Sequence, residues 1–127
     1  MNSSDTNDFA HEEEQSINKS KRTQRIRELN DQFRRTGDGG QQLITPGIVE
    51  LGMRALLDIR QLVADYDAFC EDNDPYGEHD FGNLEYQGNK VFWKIDYYDA
   101  TLAAGSPDPT DPSVTTRVLT ILLAREY

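Results

Sequence analysis

The fold of this chain is decided by residues 71–99, EDNDPYGEHDFGNLEYQGNKVFWKIDYYD. This stretch holds eight acidic residues, the only tryptophan and four of the six tyrosines. Its first ten residues are polar, and Asp74-Pro75 and Gly77 are typical of turns. Two runs rich in aromatic and apolar residues follow, at 81–87 and 90–98. They flank Gly88-Asn89, a pair that favours a two-residue hairpin turn. The stretch therefore predicts an acidic loop followed by a β-hairpin.

A turn at Gly88-Asn89 pairs Gln87 with Lys90 and places Leu84 opposite Trp93. Because side chains alternate along a strand, each run divides into two faces. The more apolar face is predicted to pack on the core and carries Gly82, Leu84, Tyr86, Val91, Trp93, Ile95 and Tyr97. The opposite face carries Phe81, Asn83, Glu85, Phe92, Lys94, Asp96 and Tyr98.

Helices and one further strand are predicted around this hairpin. Ile26, Leu29 and Phe33 form an apolar stripe that predicts a helix over 20–35, and residues 41–45 are predicted to form a short strand. Thr45-Pro46 is a typical helix start, and apolar spacing continues from there to Phe69. Asp111-Pro112 likewise favours a last helix over 113–126, although the β-branched run there also fits a strand.

These elements predict a single α+β domain over residues 19–127, in the order α-β-α-β-β-α. Three helices would pack on a small antiparallel sheet formed by the hairpin at 81–98 and the strand at 41–45. Residues 1–18 are polar, with five acidic residues and no lysine or arginine, and are predicted to be a disordered tail.

Composition narrows the classes of function. The chain has 127 residues, a net charge of −10 and a mean hydropathy of −0.74. Seven of its 13 basic residues lie in 19–36, so most of the chain is acidic, which argues against direct nucleic-acid binding. No segment is apolar enough to span a membrane, and the N-terminus does not resemble a signal peptide. Cys70 is the only cysteine, so no internal disulfide can form. A cytoplasmic protein without a cofactor is expected.

Several motifs together resemble a known family. They are RIRELNDQFRRT (25–36), LITPG (43–47), EDNDPYGEHDFG (71–82), KVFWKIDYYD (90–99) and GSPDPTDPSVTTRVLTILLAREY (105–127). The chain resembles, over residues 22–127, a family of small bacterial proteins that are frequent on mobile elements and are catalogued as a domain of unknown function. The resemblance implies no catalytic residue or ligand. Its mobile-element setting suggests plasmid or phage biology, including inhibition of host defence.

The acidic loop could carry chemistry. Asp72, Asp74, Glu78 and Asp80 are oxygen donors within nine residues, with Gly77 placed as in an EF-hand loop. Tyr76, Pro75 and Asn83 depart from that pattern, and a strand rather than a helix follows. His79 between carboxylates could act as a general acid. A small metal-assisted hydrolase that uses the loop at 72–80 is therefore the alternative function.

A surface for protein binding is the preferred interpretation. Aromatic residues surrounded by charges are typical of binding hot spots, and an acidic protein steers towards a basic partner. The predicted surface comprises Glu78, His79, Asp80, Glu85, Phe92, Lys94, Asp96 and Tyr98. The predicted function is a non-enzymatic acidic protein that binds a protein with a basic surface. More specifically, the partner is predicted to be a nucleic-acid-handling or defence protein. The chain would inhibit it, as anti-CRISPR and anti-restriction proteins do.

Overall fold

The chain forms an α+β fold in which three helices accompany a four-stranded mixed sheet. A computed structural model describes the backbone of residues 3–127 and the side chains from residue 12 onward. The helices are α1 (Ser3–Thr36), α2 (Pro46–Val49) and α3 (Met53–Ala64). The strands are β1 (Gly40–Ile44), β2 (Phe81–Tyr86), β3 (Asn89–Tyr98) and β4 (Thr116–Leu123). Among the described residues, no helix is long and apolar enough to cross a membrane.

The prediction of a last helix is wrong, because residues 116–123 form β4 near the middle of the sheet. The strand order is β1-β4-β3-β2, with β1 parallel to β4 and the other neighbours antiparallel. No position of β4 is exposed on either face, so its sequence is a nearly continuous apolar run without clear alternation. Asp111-Pro112 starts only one turn of 3₁₀ helix, where the Asp111 carboxylate accepts a hydrogen bond from the Ser113 amide. The predicted antiparallel sheet is therefore a mixed one.

The single helix predicted from Thr45 onward is also wrong, because the chain breaks it at Gly52. This glycine has a φ of 100°, which disfavours side chains with a Cβ, and α2 and α3 lie on either side of it. The apolar spacing continues through the break, since Ile48, Ala55, Ile59 and Val63 are all buried. The same stripe therefore faces the core from two helices.

The hairpin forms, but its register differs from the prediction by two residues. Gln87 and Gly88 both have positive φ and make the turn, so Tyr86 pairs with Asn89 and Gly82 lies opposite Trp93. Gly82 accommodates the indole ring, because a Cβ at this position would overlap the Trp93 side chain. A shift of two keeps every residue on its predicted face. The predicted core face is accordingly confirmed by the burial of Val91, Trp93 and Ile95.

All three helices pack on this core face, and α1 is fixed there by an arginine. Ile26 and Phe33 of α1 are buried. The Arg34 side chain is fully buried, and its Nη1 donates to the carbonyl oxygens of Val63 and Ala64 at 2.7 and 3.0 Å. These carbonyls end α3 and carry partial negative charge, which a guanidinium stabilises. Part of the basic charge of α1 therefore binds the helix to its neighbour.

The helix α1 extends beyond the predicted 20–35, and its N-terminal part runs through the predicted tail. The side chains of residues 12–20 are exposed, whereas those of Ile26, Asn30, Phe33 and Arg34 are buried. The helix therefore joins the core only in its second half. The division of the chain into a tail and a domain at residue 18 stays a prediction.

Candidate functional site

The candidate site is the open face of the sheet, which is the face opposite the helices. Five of the eight residues predicted to form a binding surface lie on it: Glu85 on β2, and Phe92, Lys94, Asp96 and Tyr98 on β3. The helices pack on the core face of the sheet, and among the described residues no helix packs on the open face. These five side chains therefore share a surface that is free of helices, as their alternation along β2 and β3 requires.

A shallow groove of about 470 Å³ crosses the open face from β3 to β1. Its floor is apolar, because Val118 and Leu122 of β4 are almost fully buried there. Its border is also partly apolar, since Leu43 of β1 is 55% exposed and Leu102, in the loop that follows β3, is 42% exposed. Lys94 and Asp96 also line the groove and form an ion pair of 3.3 Å. An apolar surface bordered by charges is typical of a protein-binding site.

Aromatic side chains continue the open face towards β2. Phe92 forms an aromatic cluster with Phe81 and Tyr127, whose ring centroids lie 5.4 and 5.7 Å from its own and 6.5 Å from each other. Tyr127 is 76% exposed, so it offers both an apolar ring and a hydroxyl group. A second groove of about 370 Å³ lies beside Phe92 and is lined by Glu85 and Lys90. Apolar and aromatic groups thus extend across all four strands.

Glu78, His79 and Asp80 do not join the open face; the Glu78 and His79 side chains bond to groups on the helix side. The Glu78 carboxylate accepts a hydrogen bond from the Tyr97 hydroxyl at 2.9 Å, and its backbone oxygen accepts one from the buried Asn30 amide. Asn30 also donates to Tyr97 at 2.7 Å and accepts from Arg117 Nε at 2.6 Å. Burial raises the pKa of Tyr97, which keeps its hydroxyl group protonated. These groups satisfy one another, as buried polar groups must.

His79 is held on three sides. Its Nδ1 lies 2.9 Å from an Asp31 carboxylate oxygen, and its Nε2 lies 3.7 Å from Asp74. Its ring stacks on Phe69 with a centroid distance of 3.7 Å. Both ring nitrogens therefore face carboxylates, and neither faces the grooves described above. The geometry supports a role for His79 in joining the acidic loop to α1 rather than one in proton transfer to a substrate.

The four carboxylates of the alternative metal site have different surroundings. Asp72 is exposed, whereas Asp74 is buried and accepts a hydrogen bond from the His79 amide at 3.2 Å. Burial raises the pKa of Asp80 to about 6, with further increases from the charges of Glu78, Asp74 and Asp96. Within residues 12–127, no three His, Cys, Asp or Glu side chains are grouped to hold a metal ion. The hydrolase alternative stays a prediction that this geometry does not favour.

Some residues of the open face were missed by the sequence analysis. Leu43, Leu102 and Val118 line the groove but come from strand β1, a loop and the segment predicted to be a helix. Leu43 alternates with the half-buried Ile44, a signal too short to assign a face. Val118 could have been found only by predicting β4 as a strand.

Comparison with protein families gives one match. A family model described as "Protein of unknown function (DUF3768)" matches residues 44–126, which is more than half of the chain. Neither the curated proteins nor the solved structures include a match to this chain.

Proposed function

Because the chain belongs to the DUF3768 family of proteins of unknown function, we propose a function from its surface. The protein binds another protein through the open face of its sheet and performs no catalysis. The observation that carries this proposal is the pair of grooves on a sheet face without helices, one lined by Leu43 and Leu102 and the other by Phe92. Exposed apolar side chains bordered by charged ones are typical of protein-binding surfaces.

The partner is proposed to be a protein with a basic surface. The chain has a net charge of −10, and Asp65, Asp67, Glu71 and Asp72 are all exposed. On the open face Lys94 is neutralised by its ion pair with Asp96, so the groove does not repel a cationic protein. Long-range attraction by the acidic chain would accelerate association, and the apolar groove would hold the complex.

A nucleic-acid-handling protein of host defence, in the cytoplasm, is the proposed class of partner. Such proteins carry cationic grooves for phosphates, and clustered carboxylates compete for the same groups. Support comes from the acidic charge and from the resemblance to proteins that are frequent on mobile elements. The proposed outcome of binding is inhibition of the partner.

Site-specific cross-linking tests the binding surface. A photoreactive amino acid replaces Leu43 on the open face or, as a matched control, Leu57 on α3, which is 61% exposed. In a bacterial lysate that contains a defence system, we expect one basic protein to be cross-linked from position 43 and not from position 57. Equal cross-linking from both positions would argue against the open face.

Binding to the purified partner then measures the contribution of the groove. We expect Leu43→Ser to weaken binding at least tenfold, about 1.4 kcal/mol, and Leu57→Ser to change it by less than twofold. Added salt should slow association. Unchanged affinity of Leu43→Ser would refute the proposed surface. A complex that leaves nucleic-acid binding by the partner intact would refute inhibition while retaining the binding function.

A further inference from the structure

A pocket of about 340 Å³ lies on the helix side of the sheet, away from the open face. It is formed by α1, by the turn that follows α1, and by the segment at the start of β4. Its lining includes Arg25, Gln32, Phe33, Asp38, Thr115 and Arg117. This set is called the arginine pocket. Its volume is within the range of pockets that bind small molecules.

Two arginines line this pocket in a chain that has 23 acidic and 13 basic residues. Arg117 is only 3% exposed, and its guanidinium donates to neutral oxygens, Asn30 Oδ1 and the Pro109 carbonyl. Within the described part of the chain, no carboxylate forms an ion pair with Arg117 or with Arg25. A buried cation without an anionic partner is costly, since burial removes its hydration.

The two guanidinium groups also act on each other. Burial lowers the pKa of Arg117, and the positive charge of Arg25 lowers it further, while Tyr97 and Glu78 partly offset the effect. Like charges held close together in a partly desolvated site are stabilised by a bound anion. Asp38 is the only acidic residue in the lining, so the pocket keeps a net positive charge.

We propose that the arginine pocket binds a small molecule that carries a phosphate or carboxylate group on an apolar body. The oxyanion would accept hydrogen bonds from Arg25 and Arg117, as arginine forks commonly donate to such groups. Leu29, Phe33 and Pro112 supply an apolar wall for the rest of the molecule. Gln32 and Thr115 offer further polar atoms.

Calorimetric titration of the full chain with phenyl phosphate at constant ionic strength tests this proposal. We expect saturable binding that is at least fivefold tighter than that of inorganic phosphate, because the ring contacts Phe33 and Leu29. Benzoate distinguishes the two oxyanions. Tighter binding of benzoate than of phenyl phosphate would identify carboxylate ligands. The absence of saturable binding for both compounds would overturn the proposal.

Three exposed charges provide matched variants that should leave the fold intact. Arg25→Gln is expected to weaken binding at least fivefold, and Asp38→Asn to strengthen it about twofold by removing the only opposing charge. Arg35→Gln removes the same charge as Arg25→Gln from an exposed position of α1 outside the pocket. Its affinity should stay within twofold of the original. Equal losses in Arg25→Gln and Arg35→Gln would show that the anion responds to net charge and not to the pocket.

Discussion

Asp80 is the residue whose ionisation should most affect stability. Burial raises its pKa from 3.8 to about 6, and Glu78, Asp74 and Asp96 add to the increase. The native protein therefore binds more protons at this site than the unfolded chain does between about pH 4 and pH 6. By linkage, the free energy of unfolding contributed by this group falls as the pH rises through that window.

Asp80→Asn is therefore expected to stabilise the protein at pH 7. Without screening by solvent, a pKa shift of this size corresponds to about 3 kcal/mol in the free energy of unfolding. Water around the partly exposed carboxyl group screens it, so we expect a gain of about 1 kcal/mol. The gain should nearly disappear at pH 4, where the native carboxyl group is already protonated. Urea unfolding at both pH values measures this difference.

A control variant separates this local effect from the general reduction of negative charge. Asp67 is exposed between α3 and the acidic loop, so Asp67→Asn should change the free energy of unfolding by less than about 0.5 kcal/mol at either pH. An equal gain for both variants would indicate repulsion across the whole acidic chain. A gain for Asp80→Asn that persists unchanged at pH 4 would contradict the role of ionisation.

The sequence predicts which residues share a face better than it predicts their partners. Phe92, Lys94, Asp96 and Tyr98 lie together because alternation along one strand fixes their side. His79 meets Asp31, which is 48 positions away in the sequence, and Glu78 meets Tyr97, which is 19 positions away. Local patterns contain no information on such contacts. The predicted surface therefore divides between the open face and the helix side.

At the scale of elements, the assignment of β4 depends on its neighbours. Its burial pattern has almost no exposed positions, so periodicity alone does not distinguish a strand from a buried helix. The strand is selected because β1 and β3 supply hydrogen-bonding partners on both sides. The Asp-Pro signal is satisfied by a single 3₁₀ turn before it. Tertiary pairing thus outweighs a local helix signal.

One carboxylate connects the end of β4 to the start of α2. Glu126 Oε1 accepts hydrogen bonds from the Thr45 hydroxyl at 2.7 Å and the Leu123 amide at 2.9 Å, and Oε2 accepts one from the Gly47 amide at 3.0 Å. The Thr45 hydroxyl and these amides lower the pKa of Glu126. The ionised carboxylate is therefore the form that stabilises this junction.

Glu126→Gln is expected to lower the melting temperature at pH 7, because an amide accepts fewer and weaker hydrogen bonds than a carboxylate. A lowered pKa means that the native protein binds fewer protons here than the unfolded chain. Stability from this group is thus present above the ordinary pKa and is lost as the pH falls through the lowered one. The difference in melting temperature between the variant and the original protein should therefore decrease as the pH falls. Circular dichroism measures both melting temperatures.

Glu50 provides the matched control, because it is an exposed glutamate at the end of α2. Glu50→Gln should leave the melting temperature nearly unchanged across the same pH range. If Glu126→Gln melts at the same temperature as the original protein at pH 7, the junction between β4 and α2 does not depend on this carboxylate.

At the scale of the whole molecule, the core extends beyond the region that defines the family. The matched region begins at residue 44, but α1 supplies Phe33 to the same core as Trp93, and its Ile26, Asn30 and Arg34 side chains are also buried. Arg34 lies over the Trp93 ring at 5.1 Å. Without α1, the helix side of the sheet would lose part of its cover.

We therefore predict that residues 44–127, which lack α1 and most of β1, do not fold alone, whereas residues 19–127 do. Burial of Ile26 and Phe33 contributes about 1.5–3 kcal/mol each, against a total stability of about 5–15 kcal/mol for a typical domain. Loss of Asn30 and Arg34 also removes the partner of Arg117 Nε and the guanidinium that binds the end of α3. Near-UV circular dichroism of Trp93 and urea unfolding measure the outcome. Cooperative unfolding of residues 44–127 would show that α1 is dispensable, and failure of residues 19–127 would contradict the predicted boundary at residue 18.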